Sequence, residues 1–272
     1  MRIRSAATAL LAALVLSGTA AAQVDYPDSM ASTGDSITRA FNSGFVPYTD
    51  APWNSWSTGA LRSWTHYRRI LAANPRIFGR NFNNARSGAK MADLERQAGL
   101  TVARRVEYVT ILMGANDACA SSEAAMTPVA EFRAQLKRAM ARLSLGLPGA
   151  RVYVVSIPDI YRLWSLFHTN PTAVFIWRLT GFCKSMLARP TSTAPEDEAR
   201  RQRVRQRVID YNGQLEQVCA LYIQCRFDGN AVFAYAFRPE HVSKRDYFHP
   251  SLAGQKALAD VTWAAGYFAA PG

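Results

Sequence analysis

Ser36, Asp246 and His249 are the residues of this chain whose types and grouping can do chemistry together. A serine hydroxyl is a weak nucleophile at neutral pH. It needs an imidazole within hydrogen-bond reach and a carboxylate that holds that imidazole in one tautomer. Ser36 stands in Gly34-Asp35-Ser36-Ile37 near the start, and His249 in Asp246-Tyr247-Phe248-His249 near the end, with Pro250 next. The spacing of Asp246 and His249 allows both side chains on one side of a tight turn. His249 would take the Ser36 proton and return it to the leaving group, while Asp246 holds the other ring nitrogen. If a backbone group also orients the ring, Asp246→Asn is expected to be milder than His249→Ala. Taken singly, Gly-Asp-Ser is an ordinary turn and a histidine before proline an ordinary structural residue.

Acyl transfer also needs donors for a developing oxyanion. Asn83-Asn84-Ala85-Arg86-Ser87-Gly88 and Gly114-Ala115-Asn116-Asp117 can each offer one. The glycine lets a backbone N–H come close to a substrate, and the asparagine amide donates without adding charge. Each segment read alone is equally a turn or a helix cap.

Short apolar runs alternate with helical patterns, the signature of βαβ units and an α/β fold with a parallel sheet covered on both faces. Strands are predicted at Ser29 to Thr33, Ile77 to Asn81, Tyr108 to Met113, Val152 to Ile157 and, more weakly, Cys225 to Asp228. Helices are predicted at Met91 to Arg104, Pro128 to Leu143, Pro195 to Tyr222 and Leu252 to Tyr267. Ser36 is expected between the first strand and a helical turn, with its N–H near a helix N-terminus. In such folds the ligand site lies beyond the carboxyl ends of the strands. The Ser36, Gly88 and Asn116 motifs each follow a predicted strand and fall at that edge.

With these motifs in this order, the chain resembles the SGNH, or GDSL, hydrolase family, whose four named residues match Ser36, Gly88, Asn116 and His249, with Asp246 as triad acid. The resemblance covers essentially all of the chain after its leader. It implies a flavodoxin-like three-layer αβα sandwich with a mainly parallel five-stranded sheet, and ester hydrolysis that needs no cofactor. It also implies an oxyanion hole made by the Ser36 and Gly88 backbone N–H groups and the Asn116 side chain. Gly-Asp-Ser-Ile-Thr replaces the commoner Gly-Asp-Ser-Leu and alters no catalytic position. The elbow of α/β-hydrolases, Gly-x-Ser-x-Gly, does not fit, because Ile37 and Thr38 follow Ser36. His66, His168 and His241 have no metal-ligand spacing.

The segment 1–22 has Arg2 and Arg4, an apolar run from Ala6 to Leu16, and Ala20-Ala21-Ala22, the pattern of a signal peptide cleaved before Gln23. The expected protein is therefore exported, extracellular or periplasmic, with one hydrolase domain over 23–272. No linker, repeat or low-complexity tract divides that span. The formal net charge of +12 falls to +10 when Arg2 and Arg4 leave. The arginines are scattered and accompany no nucleic-acid motif, so nucleic acid is not an expected partner. The densest group, Arg200, Arg201, Arg203, Arg205 and Arg207 after Glu196, Asp197 and Glu198, reads as a solvated helix face, with attraction to anionic lipid or cell-wall polymer as the alternative. Four cysteines in an oxidising compartment favour two disulfides, and Cys119–Cys183 with Cys219–Cys225 is the preferred one of three pairings.

Asn54-Ser55-Trp56-Ser57-Thr58-Gly59, Ser156-Ile157-Pro158-Asp159-Ile160 and Phe248-His249-Pro250-Ser251 look like segments of the phospholipase B-like branch of the family. A lipid or lysophospholipid ester is the substrate expected from that likeness, with transient contact to a lipid surface. The apolar stretch Tyr161 to Leu179 follows the fourth strand. Trp164, Phe167 and Trp177 in it are candidates to line an acyl groove or lid, and helix packing is the plainer account. A carbohydrate O-deacetylase is the alternative, with Trp53, Trp56 and Trp64 stacking on sugar. A non-catalytic binding protein is disfavoured by the complete set of Ser36, His249 and Asp246.

Overall fold

The computed structural model describes residues 25–269, so the leader expected at 1–22 lies outside the described residues. Five parallel strands form one sheet: β1 (Met30–Gly34), β2 (Asn81–Asn83), β3 (Tyr108–Leu112), β4 (Arg151–Val155) and β5 (Cys225–Phe227), in the order β2-β1-β3-β4-β5. This is the doubly wound order of the flavodoxin type, whose switch point lies between β1 and β3. The expected α/β class and five-strand parallel sheet are what the chain forms.

The helices of the first half are α1 (His66–Ala73), α2 (Leu94–Ala103), α3 (Ala115–Ala118) and α4 (Val129–Gly146). Those of the second half are α5 (Ile160–Phe167), α6 (Pro171–Thr180), α7 (Lys184–Leu187), α8 (Pro195–Cys219), α9 (Ala231–Ala234) and α10 (Leu252–Ala265). Successive strand residues point to opposite faces, and each face is apolar. Val109, Ile111, Val152 and Val154 pack under α2, α4 and α8, while Tyr108, Leu112, Tyr153 and Val155 pack under α1 and α10. Phe132 of α4 stacks on Tyr211 of α8 at 4.1 Å, joining two helices of one layer. Fully burying a side chain of that size contributes about 1.5–3 kcal/mol.

Two expectations change. The second strand begins at Asn81 and not Ile77, because Pro75 opens a 3-10 turn over Pro75–Ile77 that the Asn74 side chain caps through Arg76 N–H at 3.2 Å. The arginines of α8 are also only in part a solvated face: Arg203 is exposed, but the others are partly or fully withdrawn from solvent. Arg201 is fully buried, with its guanidinium 3.9 Å from the centre of the Trp164 ring. Arg203 pairs with Glu123 at 2.6 Å, Arg205 with Asp159 at 2.8 Å, and Arg207 donates to Thr127 O at 3.0 Å. Arg200 pairs with Asp197 and donates to Ala188 O at 2.6 Å. The cluster binds α8 to its neighbours.

Both disulfides form as preferred, Cys119–Cys183 and Cys219–Cys225. His66 is a buried structural histidine. Thr262 Oγ1 donates to Leu258 O at 2.6 Å, so His66 Nε2 must donate to Thr262 Oγ1 (2.8 Å) and its Nδ1 accepts from Tyr108 O–H (3.2 Å). Burial pushes its pKa down to about 3, which keeps the ring neutral.

Candidate active site

β1 leads into Ser36, the candidate nucleophile. Gly34 ends the strand at φ +147°, where a Cβ would lie 2.3 Å from Leu112 O, so only glycine lets the chain turn there. The buried Gln97 of α2 clamps this point, accepting Gly34 N–H at 2.8 Å and donating to Gly34 O at 2.9 Å. Beyond it the chain forms the expected helical turn and no regular helix, with Arg39 N–H on Asp35 O and Phe41 N–H on Ser36 O, both at 3.0 Å. A second buried glutamine, Gln255 of α10, donates to Ile37 O at 2.8 Å. Ser36 is thus held between two helices on opposite faces of the sheet.

The 243–249 segment delivers the other two groups. Tyr247 takes the left-handed conformation (φ 50°), which folds the Asp246 carboxylate back on its own chain. Asp246 Oδ1 accepts the N–H groups of Phe248 and His249, each at 3.0 Å. Asp246 Oδ2 accepts from His249 Nδ1 at 2.7 Å, and His249 Nε2 lies 2.9 Å from Ser36 Oγ. Burial pushes the Asp246 carboxyl up, but the hydrogen bond and charge of His249 and the Asn42 amide outweigh it and hold the group below the usual carboxylate range. Asp246 is therefore ionised at neutral pH and accepts from Nδ1–H, leaving Nε2 free to take a proton from serine. Among the described residues Nδ1 has no other partner, so no backbone group shares the work of orienting the ring.

The expected oxyanion donors are arranged less uniformly. Asn116, at the start of α3 beyond β3, donates one amide hydrogen to Ala89 O at 3.0 Å and lines the same cavity as Ser36 and His249. Its second amide hydrogen is uncommitted among the described residues. Cys119–Cys183 ties down α3, and Asp117 anchors it further by accepting Met91 N–H (2.8 Å) and Thr127 O–H (2.7 Å). Gly88 lies at φ +81° in an open turn, with no atom within 4 Å of where a Cβ would be. That turn is pinned to the end of β1 by Arg86 N–H on Gly34 O at 3.1 Å, but Gly88 is outside the cavity lining.

The cavity encloses about 100 Å³, and its walls are mainly apolar, including Ile37, Leu163, Leu166, Val242, Phe248 and Leu258. Trp164, Phe167 and Trp177 are not among the lining residues; all three are buried in the core beneath α5 and α6. Trp164 donates to Pro190 O at 2.7 Å and Trp177 to Tyr247 O at 2.9 Å. The helix period explains the correction: Trp164 and Phe167 share the core face of α5, while Ile160, Leu163 and Leu166 line the cavity. Trp53, Trp56 and Trp64 are also off the cavity, and Trp56 is fully buried.

Asn42, Gln97 and Gln255 support the site, and no motif marks them. The one available signal was the place of Asn42 in the turn-rich loop after Ser36, since asparagine tolerates the left-handed conformation it adopts (φ 61°).

No curated protein is similar enough in sequence to count as a match. Solved structures match at the level of fold. A lipase from a goat rumen metagenome aligns with TM-score 0.55 and 14% identity over 88% of this chain and 97% of its own. An extracellular lipase from Streptomyces rimosus aligns with TM-score 0.51 and 17% identity over 88% and 99%. Phospholipase A1 from Streptomyces albidoflavus NA297 gives 0.50 and 16% over 89% and 100%. The sequence pattern of the GDSL-like lipase/acylhydrolase family matches residues 33–257, from the end of β1 through the histidine loop into α10. Since that match takes in the larger part of the chain, the protein is a hydrolase that belongs to the GDSL-like lipase/acylhydrolase family.

Proposed function

We propose that the protein is an exported serine esterase that cleaves carboxylic esters with an apolar acyl group, lipid or lysophospholipid esters above all, through Ser36, His249 and Asp246. One observation carries the reading: the unbroken chain from Asp246 Oδ2 to His249 (2.7 Å) to Ser36 Oγ (2.9 Å) opens on an apolar-walled cavity. Ser36 Oγ attacks the ester carbonyl carbon while His249 Nε2 takes the hydroxyl proton. The tetrahedral oxyanion lies against the N–H groups of Ser36 and Gly88 and the uncommitted amide hydrogen of Asn116. Collapse expels the alcohol, which receives the proton from Nε2. Water activated by the same nitrogen then hydrolyses the acyl-enzyme.

Aliphatic walls favour a hydrocarbon chain over a sugar, whose hydroxyls require hydrogen-bonding partners. The Streptomyces lipase and phospholipase A1 are lipid-ester enzymes by name, but at 17% and 16% identity their likeness bears on fold, so the substrate reading rests on the cavity. Export is supported by the signal-peptide pattern at 1–22 and by the two disulfides.

The test is a chain-length series of p-nitrophenyl esters beside a lysophospholipid assay, with Ser36→Ala as blank. Activity should rise beyond acetate, fatty acid should be released from the lysophospholipid, and both should vanish in the blank. Turnover by Ser36→Ala would overturn the mechanism. Faster release of acetate from acetylated polysaccharide than of fatty acid from the lysophospholipid would replace the lipid reading with the deacetylase one.

A further inference from the structure

The segment carrying His241 runs antiparallel to the one carrying His249. Ser243 N–H donates to His249 O at 2.8 Å, Ser251 N–H donates to His241 O at 2.9 Å, and Val242 pairs with Pro250 between them. His241 therefore lines the cavity on the imidazole side of Ser36, where a departing alcohol must receive its proton. Its Nδ1 accepts Arg238 N–H at 3.2 Å, capping the 3-10 turn Pro239–His241. The proton of the neutral ring consequently sits on Nε2, and nothing among the described residues accepts it. Burial lowers the His241 pKa, so the ring is a neutral donor at pH 7.

Arg162 of α5 lines the same cavity and donates from Nε to Phe237 O at 2.9 Å, which draws its guanidinium onto the His241 segment. Among the described residues no carboxylate pairs with it. The carboxylates nearby are taken: Asp159 by Arg205 at 2.8 Å and Glu240 by Arg238 at 2.9 Å. A guanidinium without a carboxylate partner and a free imidazole N–H, on the wall of a mainly apolar cavity that Asp159 also lines while paired to Arg205, are the donors that an oxyanion requires.

We infer that Arg162 and His241 form a subsite for a phosphate carried on the alcohol part of the ester, so that the preferred substrates are acyl esters of phosphorylated alcohols. This rests on the ester-hydrolase reading above and narrows its substrate class. The acyl chain lies against Leu163 and Leu166, while the alcohol extends past His249 towards His241.

Two matched substrate pairs test it. The first is hexanoyl glycerol 3-phosphate against monohexanoyl glycerol, both below micelle formation. The second, with the anion on the acyl side, is a p-nitrophenyl half-ester of glutaric acid against p-nitrophenyl pentanoate. For the first pair the wild-type kcat/KM ratio should favour the phosphate, and it should fall about tenfold or more in Arg162→Leu and in His241→Phe. Arg162→Lys and His241→Gln, which keep a cation and a donor, should restore part of it. Thermal melts identify any variant that does not fold, and the conservative pair then carries the test. An unchanged ratio in folded variants overturns the subsite, and a fall confined to the second pair overturns its placement on the alcohol side. If wild type and Ser36→Ala were equally inactive on all four esters, the hydrolase reading itself would fail instead.

Discussion

Asn42 donates its side-chain amide to Asp246 Oδ2 at 2.5 Å, and the same oxygen accepts His249 Nδ1–H at 2.7 Å. The Asn42 carbonyl oxygen in turn accepts Tyr48 N–H at 2.5 Å, so the amide cannot rotate away. Asn42 thus sets the angle of the carboxylate that sets the angle of the imidazole. Asn42→Gly keeps the left-handed backbone at no steric cost and deletes only the amide. A hydrogen bond to a charged group contributes about 1.5–3 kcal/mol, so kcat on p-nitrophenyl acetate should fall roughly tenfold or more with KM little changed. An unaltered kcat would remove Asn42 from the site.

Asn116→Ala should lower kcat on the order of 100-fold by removing the proposed oxyanion donor, with a smaller effect on KM. Asn116→Asp should lose at least as much, since it sets a negative charge against the oxyanion. A loss below about threefold in the alanine variant would reassign the amide to its bond with Ala89 O, 3.0 Å away.

Asp246→Asn should be about as damaging as His249→Ala. Nδ1 has no second partner among the described residues, and an amide facing two backbone N–H groups and Asn42 would turn its own N–H₂ towards donors. Single-turnover rates within roughly tenfold of each other are expected. A much milder Asp246→Asn would mean that the ring is oriented by something else.

Asp35 should govern how stability depends on pH. Its Oδ1 accepts Ile37 N–H at 2.9 Å while its buried Oδ2 has no partner, and burial pushes the carboxyl up to about 7. A carboxyl whose pKa is raised on folding stabilises the fold fully below its unfolded value of 3.8, and that contribution is lost as pH rises through 7. The loss is on the order of 4 kcal/mol at 1.36 kcal/mol per pH unit. Asp35→Asn cannot ionise. Its Tm relative to wild type should therefore rise between pH 4 and pH 8, as read by calorimetry, and a constant difference would contradict the assignment. Asp117, pushed up to about 6 by burial, remains in both proteins and cancels in the comparison. Asp246, held below its usual range, acts in the opposite sense: its contribution is present above 3.8 and lost as pH falls.

Replacing Cys119 and Cys183 by serine should cost about 4 kcal/mol, against about 2 kcal/mol for Cys219 and Cys225, because the first pair closes a loop of 64 residues and the second one of 6. Denaturant melts measure both. The first variant should also lose activity before it unfolds, since Cys119 ends α3, the helix that carries Asn116.

Much of this protein was open to reading along the chain. A parallel sheet buried on both faces writes itself as short apolar runs, and a serine triad with its oxyanion donors writes itself as a few turn residues at strand ends. Those signals point to Ser36, Asp246, His249 and Asn116 as the candidate site residues and to the cysteines as disulfide partners, and each rests on local chemistry. Local chemistry also explains why the apolar pattern does not mark β2, since a partly buried three-residue edge strand, Asn-Phe-Asn, leaves almost no apolar trace.

Everything that depends on which side chains meet across the sheet was decided by tertiary structure alone. Gln97 and Gln255 sit on helices 63 and 218 residues from the groups they clamp, and a glutamine on a helix ordinarily faces water. The aromatic residues of α5 and α6 fit either an acyl groove or helix packing along the chain, and rotation about the helix turned Trp164 and Phe167 to the core and left Ile160, Leu163 and Leu166 to line the cavity. The basic run of α8 looked solvated, yet its partners Glu123, Asp159 and Trp164 come from remote parts of the chain. A residue type and its spacing limit what a side chain can do. Its partner is chosen by packing, which brings together positions that the chain keeps far apart.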